Sequence, residues 1–280
     1  MTDALPSIKD MLVRENLWAR KSLGQHFLLD PHLLQRIAAQ AGDIRGRAVI
    51  EVGPGPGGLT RALLDAGADP LIAVEKDARF LAILAELVPW SGGRLRVIDA
   101  DAVTVDEPAL LAAAQATSAA IVSNLPYNVG TPLLVKWLKA GPWRGPMTLM
   151  FQREVAERIV APAGGEVYGR LAVLAQACAH ARIVMPVPPR AFTPPPKVAS
   201  AVVHLTDRAD RFDDLDALER VTAAAFGQRR KMLRSSFASL AGAAAESILD
   251  AAAIAPTQRA EQVTVQEFCA LARAWRAAQG

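Results

Sequence analysis

Two hydrophobic rhythms alternate along the chain. Short apolar runs rich in Val and Ile stop at glycine, proline or acidic residues: "RAVIEVG" (47–53), "PLIAVEKD" (70–77), "RLRVIDADAV" (94–103), "AAIVSNLPYN" (119–128) and "MTLMFQ" (147–152). These predict buried strands. Between them apolar residues recur every three or four positions, as in "DPHLLQRIAAQAG" (30–42), "GLTRALLDAG" (58–67), "ARFLAILAELV" (78–88), "TPLLVKWLKAG" (131–141) and "REVAERIVAP" (153–162). These predict helices. In the first helix Asp30 is the cap, Pro31 the first position, and Leu33, Leu34, Ile37 and Ala38 the inward stripe.

Strands that alternate with helices, each apolar throughout, predict an α/β fold whose parallel sheet is covered on both faces. Ligands in such folds gather beyond the carboxyl ends of the strands. From Ala181 the rhythm changes: "ARIVMPVPPRAFTPPPKVASAVVHL" (181–205) reads as two strands joined by a proline-rich loop, a hairpin closing one sheet edge. Beyond Thr206 the strand signal ends and the chain reads as helical and basic. The expected organisation is a domain over 1–206, opened by a basic arm at about 1–29, and a helical domain over 207–280.

The 280 residues are 51% hydrophobic but only 5% aromatic, so a folded protein with an aliphatic, alanine-rich core is expected. Net charge is only +3, yet cations cluster at Arg14–Lys21 and in "FGQRRKMLRSSF" (226–237), which fits local contacts with a polyanion. Cys178 and Cys269 stand apart, and His26, His32, His180 and His204 lack ligand-like grouping, so neither a disulfide framework nor a metal site is indicated. The first residues do not read as a signal peptide and no apolar run reaches the length of a membrane span, so a cytoplasmic protein is expected.

The turn after the first central strand, "EVGPGPGGLT", carries Gly53-x-Gly55-x-x-Gly58, a spacing shared by dinucleotide-binding loops. Two details disfavour a pyrophosphate. Pro54 and Pro56 bring no N–H donors, and Glu51 places an acid beside the loop mouth. S-adenosylmethionine, with a sulfonium, an ammonium and no phosphate, suits this loop better than NAD. Glu75, closing the next strand, can accept both hydroxyls of a ribose, a feature common to both cofactors. Asp99 and Asp101 at the end of "VIDAD" would share one face if the strand ran that far; Asp101, nearer the end, is the preferred acceptor for an adenine amine.

"NLPY" (124–127) ends the fourth central strand. An adenine amine is a poor nucleophile because its lone pair is delocalised into the ring. A site that accepts both of its N–H bonds draws the nitrogen toward tetrahedral geometry and aims that lone pair. The Asn124 amide oxygen and the Leu125 carbonyl supply two acceptors, Pro126 stiffens the turn, and Tyr127 offers a face for an extruded base.

Eight segments, in order, carry a resemblance: "KSLGQHFLLD", "EVGPGPGGLT", "VEKD", "DADAV", "NLPYNVGTPLL", "YGRLAVLAQ", "FTPPPKVASAVV" and "FGQRRKMLRSS". Together they resemble the ribosomal RNA adenine dimethyltransferase family over Ala19 to about Arg273, most closely its members that act on small-subunit (16S) RNA. The resemblance implies a Rossmann-like seven-stranded class I methyltransferase sheet and a small all-helical C-terminal domain. It implies four methyl transfers from S-adenosylmethionine to N6 of two adjacent adenosines in the 3′-terminal hairpin of 16S rRNA, within a precursor small subunit. It places His26, Leu28, Gly53, Glu75, Asp101 and Asn124 at the cofactor. Asn124, Leu125, Pro126 and Tyr127, with Phe192 in a proline-stiffened loop, would clamp the target adenine. His26 stands where the family often has Asn; an imidazole there can still hydrogen-bond the cofactor's carboxylate end, with a pH dependence as the expected consequence. Arg229, Arg230, Lys231 and Arg234 are expected on a phosphate-contacting helix with Met232 and Leu233 inward, and Arg20 and Lys21 in an arm that orders over both substrates. A monomer without metal is expected. The rival readings are a large-subunit RNA methyltransferase of the resistance type, a small-subunit assembly factor acting chiefly by binding, a DNA adenine methyltransferase and an NAD oxidoreductase.

Overall fold

The computed structural model describes residues 5–17, 26–228 and 230–279. Its strands are β1 (Phe27–Leu28), β2 (Val49–Val52), β3 (Leu71–Glu75), β4 (Leu95–Asp99), β5 (Ala119–Asn124), β6 (Arg144–Gln152), β7 (Ala179–Val187), β8 (Phe192–Thr193) and β9 (Ser200–Asp207). Seven of them form one sheet in the order β4-β3-β2-β5-β6-β9-β7. The first five run parallel, and β9 pairs antiparallel to β6. Every residue of β2 and β3 is buried, as expected of strands covered on both faces. This is the α/β sheet that the alternating rhythm predicts, with the proline-rich hairpin at its edge. β1 and β8 form a second, two-stranded sheet that pairs Leu28 with Phe192.

The α-helices among the described residues are α1 (Ile8–Arg14), α2 (Pro31–Ala39), α3 (Gly58–Asp65), α4 (Ala78–Trp90), α5 (Glu107–Ala113), α6 (Gly130–Leu138), α7 (Arg153–Val160), α8 (Arg170–Cys178), α9 (Leu215–Gly227), α10 (Leu233–Ala241), α11 (Ala245–Ala251) and α12 (Val265–Ala277), the last four following β9. Short acidic caps start several of them: Asp30 accepts from the N–H groups of His32 and Leu33, Asp77 from Arg79, and Asp106 from Ala109.

The chain runs outward from β2 through β3 to β4, then returns to β5 on the other side of β2. Such a reversal leaves a crevice at the carboxyl ends of the two strands. Regular pairing of β2 with β5 covers Val49–Ala120 and Ile50–Ile121. Beyond it the Ser123 hydroxyl bridges the gap, accepting from the Val52 N–H at 3.3 Å and donating to the Val52 carbonyl. The two strands therefore part at the residue before Gly53 and the residue before Asn124.

The chain divides into two compact units, Met1–Ala156 with Arg182–Leu205, and Glu157–Ala181 with Thr206–Gly280. The first contains the crevice. The second is helical: α8, α9 and α12 pack together, the Tyr168 hydroxyl donates to the Val263 carbonyl at 3.0 Å, and Phe226 lies against Tyr168 and Phe268. A boundary at 206 alone does not describe this division, because the buried apolar side chains of α8 supply core to the helical unit before the chain returns to the sheet.

Gly57 caps α3 with φ of +83°, and a Cβ there would lie 2.7 Å from Cδ1 of Leu87, itself fully buried. Gly57→Ala is expected to cost about 1–3 kcal/mol through left-handed backbone strain and overpacking. Urea unfolding should show a lower midpoint at an unchanged slope.

Candidate active site

A cavity of about 420 Å³ opens where β2 and β5 part. One wall is the glycine loop. Gly53 has φ of +64°, and a Cβ on it would sit 3.2 Å from Cδ of Pro126. The glycine loop and the "NLPY" turn thus meet in van der Waals contact, and His26, Leu28, Gly53, Glu75, Asn124, Leu125, Pro126, Tyr127 and Phe192 all line the one cavity.

Glu75, at the end of β3, is buried and held by three backbone donors: the N–H of Gly55 at 3.1 Å and those of Lys76 and Asp77, each at 2.9 Å. Burial raises its pKa and these three bonds oppose the rise. The Gly55 N–H is thereby directed at a carboxylate, and Pro54 and Pro56 have none to offer. The loop is correspondingly poor in donors for a phosphate.

Glu51 departs from expectation. It lines the cavity but is only 1% exposed, and the Thr60 hydroxyl donates to it at 2.7 Å. Burial, with the Glu75 charge adding to it, pushes its pKa up to about 8 against the Thr60 bond. Burial thus favours the neutral acid at residue 51, where the sequence suggests a carboxylate at the mouth.

At the other end, Asn124 closes β5, Leu125 is buried, and the Pro126 carbonyl accepts the N–H groups of Val129 and Gly130, both at 3.1 Å, which starts α6. The Tyr127 hydroxyl is 2.8 Å from the Ser200 hydroxyl on β9. The His26 ring lies against two aromatic side chains, its centroid 5.9 Å from that of Tyr127 and 6.4 Å, edge to face, from that of Phe192. His26 Nδ1 donates to the Pro194 carbonyl at 2.7 Å. Phe192 is 3% exposed, so it serves as core anchor for its loop as well as cavity wall. Phe27, stacked edge-on against Phe80 at 5.5 Å, is a further wall: it sits within "KSLGQHFLLD" but is assigned no role there. Ser200, which holds the Tyr127 hydroxyl, falls within "FTPPPKVASAVV", but its partner could not be read from the sequence because the contact joins two distant segments.

Asp101 is not among the cavity-lining residues. β4 ends at Asp99, so the alternation of strand faces does not reach Asp101. Its exposed carboxylate accepts from the Val103 N–H at 2.9 Å and lies 3.3 Å from Lys76 Nζ, the latter a residue of the cavity wall. Val103 first, then Lys76, hold it below the usual aspartate range.

The described residues of the basic run do not form one helix. Gln228 ends α9, Arg230 and Lys231 are exposed ahead of α10, and Arg234 is exposed on the first turn of α10. Leu233 is buried, but Met232, expected inward, is 42% exposed. The reason is a backbone tether: Leu233 and Arg234 donate their N–H groups to the carbonyls of Gln258 and Pro256, which starts the helix only at Leu233. Arg229, Arg20 and Lys21 lie outside the described residues. Among the described residues no His, Cys, Asp and Glu cluster could hold a metal ion.

A family model described as ribosomal RNA adenine dimethylase matches residues 16–276. The ribosomal RNA small subunit methyltransferase A of Phenylobacterium zucineum is 58% identical over 280 residues, covering 98% of this chain and 94% of the relative. That of Mesorhizobium japonicum is 55% identical, with 96% and 98% covered. Among solved structures, a dimethyladenosine transferase from Plasmodium falciparum shares the fold, with a TM-score of 0.72 at 24% identity and coverage of 88% and 96%. The 23S rRNA methyltransferase ErmE aligns with a TM-score of 0.67 at 27% identity, covering 89% and 99%.

Glu51 makes a pH prediction. Its folded pKa of about 8 lies above the ordinary 4.5, so the folded state holds the extra proton between those values. Its contribution is fully present below about pH 4.5 and is lost as pH rises through about 8. The stability difference between the unmodified protein and Glu51→Gln should therefore fall with pH across that window, by up to about 1.4 kcal/mol per pH unit. Urea titrations of both proteins at several pH values measure it; parallel curves would mean Glu51 is already ionised.

Proposed function

The chain belongs to the ribosomal RNA adenine dimethylase family, and on that footing we propose that it methylates N6 of two adjacent adenosines in the 3′-terminal hairpin of 16S rRNA. It is an S-adenosylmethionine-dependent ribosomal RNA adenine methyltransferase of the small-subunit type. The observation that carries the site assignment is the contact between Gly53 and Pro126, which makes one cavity of the cofactor loop and the base-binding turn.

The residues present fit the cofactor. Glu75 is fixed by three N–H donors with its carboxylate on the cavity wall, the loop lacks donors for a phosphate, and Glu51 can ionise when a cation arrives. Bound there, S-adenosylmethionine supplies an electrophilic methyl group on a positively charged sulfur. Glu75 accepts the ribose hydroxyls, Asp101 the adenine amine, and His26, Leu28 and Gly53 border the remainder. The Asn124 amide oxygen and Leu125 carbonyl accept both hydrogens of the target amine, Pro126 keeps those acceptors in place, and Tyr127 and Phe192 face the base. Each stacked base is worth roughly 1–3 kcal/mol. Alignment supplies most of the acceleration, and the amine proton leaves after transfer, so no strong general base is required.

The small-subunit relatives are 55–58% identical over nearly the whole chain, against 27% for the large-subunit enzyme, which favours the small-subunit substrate. The substrate we assign is 16S rRNA within a precursor small subunit, met by a monomer in the cytoplasm. Among the described residues no helix is long and apolar enough to cross a membrane.

Mass spectrometry of precursor small subunits treated with the purified protein should place dimethyladenosine at two adjacent positions. Asn124→Ala should slow transfer by at least about 100-fold. Modification of large-subunit RNA instead, or an unimpaired Asn124→Ala protein, would overturn the reading. Arg230 and Lys231 are assigned to RNA phosphates. Replacing both with Ala should make log affinity against log salt shallower by about 1.4–1.8, leaving cofactor affinity unchanged. An unaltered salt slope in filter binding would remove that assignment.

A further inference from the structure

Lys136 lies on α6, the helix that follows the "NLPY" turn, yet its ammonium reaches the loop beyond β4. Nζ donates to the carbonyls of Ala102 at 2.9 Å and Val105 at 2.7 Å, and it pairs with Glu107 at 2.9 Å. The three donors of the ammonium thus each have an acceptor. Glu107 is 3% exposed and also accepts from Nε1 of the fully buried Trp137 at 2.8 Å. Neutralising a buried glutamate takes one donor; the other two grip the backbone on either side of Val103 and Thr104. The Val103 N–H is the group that aims the Asp101 carboxylate, and the Asp101 carbonyl accepts from Thr104 and Val105 at 3.0 Å each. This loop lies outside the sheet, beyond the end of β4 at Asp99.

We propose that Lys136 is a positioning residue for recognition of the cofactor's adenine: by clamping the Ala102–Val105 loop to α6 it keeps Asp101 at the cavity rim beside Lys76. The inference rests on the reading of Asp101 as acceptor for the adenine amine. Since α6 begins at the Pro126 carbonyl, the same cation ties the adenine end of the cleft to the turn that grips the target base.

Calorimetry with S-adenosylhomocysteine and with its inosine counterpart, whose 6-oxo group presents an acceptor to an acceptor, tests this in the full-length protein. The unmodified protein should prefer the adenosine form by roughly tenfold. Lys136→Met should reduce that preference to about twofold or less by weakening the adenosine form alone. Because Met leaves Glu107 without its cation, Lys136→Met/Glu107→Gln, which keeps the Trp137 bond, serves as the second variant and should behave alike. Asp101→Ala separates the two ideas. If it discriminates as well as the unmodified protein, the role of Asp101 fails and the inference fails with it. If it loses discrimination while both Lys136 variants retain it, or weaken both ligands equally, the role of Asp101 stands and that of Lys136 is overturned.

Discussion

The parting of β2 from β5, and the van der Waals contact that spans it, is the constraint on which the site depends. Two parallel strands that stayed paired to their ends would leave no cavity. Here the Ser123 hydroxyl takes over from the backbone ladder at Val52, and the next residues of each strand turn away. Gly53 and Pro126 then meet across the gap so closely that a Cβ on residue 53 would sit 3.2 Å from Pro126, on a backbone whose φ of +64° already disfavours a side chain. The glycine loop and the "NLPY" turn are consequently packed together as walls of one cavity, and a shift in either is felt by the other.

The cavity's electrostatics suit a cationic ligand without holding an excess of bare charge in the empty state. Glu75 stays where it is because three N–H groups point at it, and burial, then the nearby Glu75 charge, favours the protonated form of Glu51. The same arrangement disfavours a phosphate, since the loop's N–H groups are few and one is already directed at Glu75. The choice between a sulfonium and a dinucleotide, which glycine spacing leaves open, is thus decided by where the loop's donors point.

Lys136 and Ser200 illustrate control exerted on a segment from a distant element. One holds the loop bearing Asp101, the other holds the Tyr127 hydroxyl, and each reaches its partner from a different element. Residues of this kind tune a site through the groups they fix.

Much of this protein was legible in the residues themselves. Strand and helix rhythms are local, so the alternating sheet, the caps at Asp30 and Asp77 and the edge hairpin followed from spacing alone, and motifs that sit at strand ends converge in any parallel sheet. Tertiary structure decided what depends on distant neighbours. The protonation of Glu51 follows from burial that no local pattern reports. The late start of α10, which leaves Met232 outside, follows from a tether to Pro256 and Gln258. The transfer of 157–181 to the helical unit follows from α8 packing on helices far along the chain. Spacing determines which groups a chain can present; solvation and long-range contact determine their charge, exposure and aim.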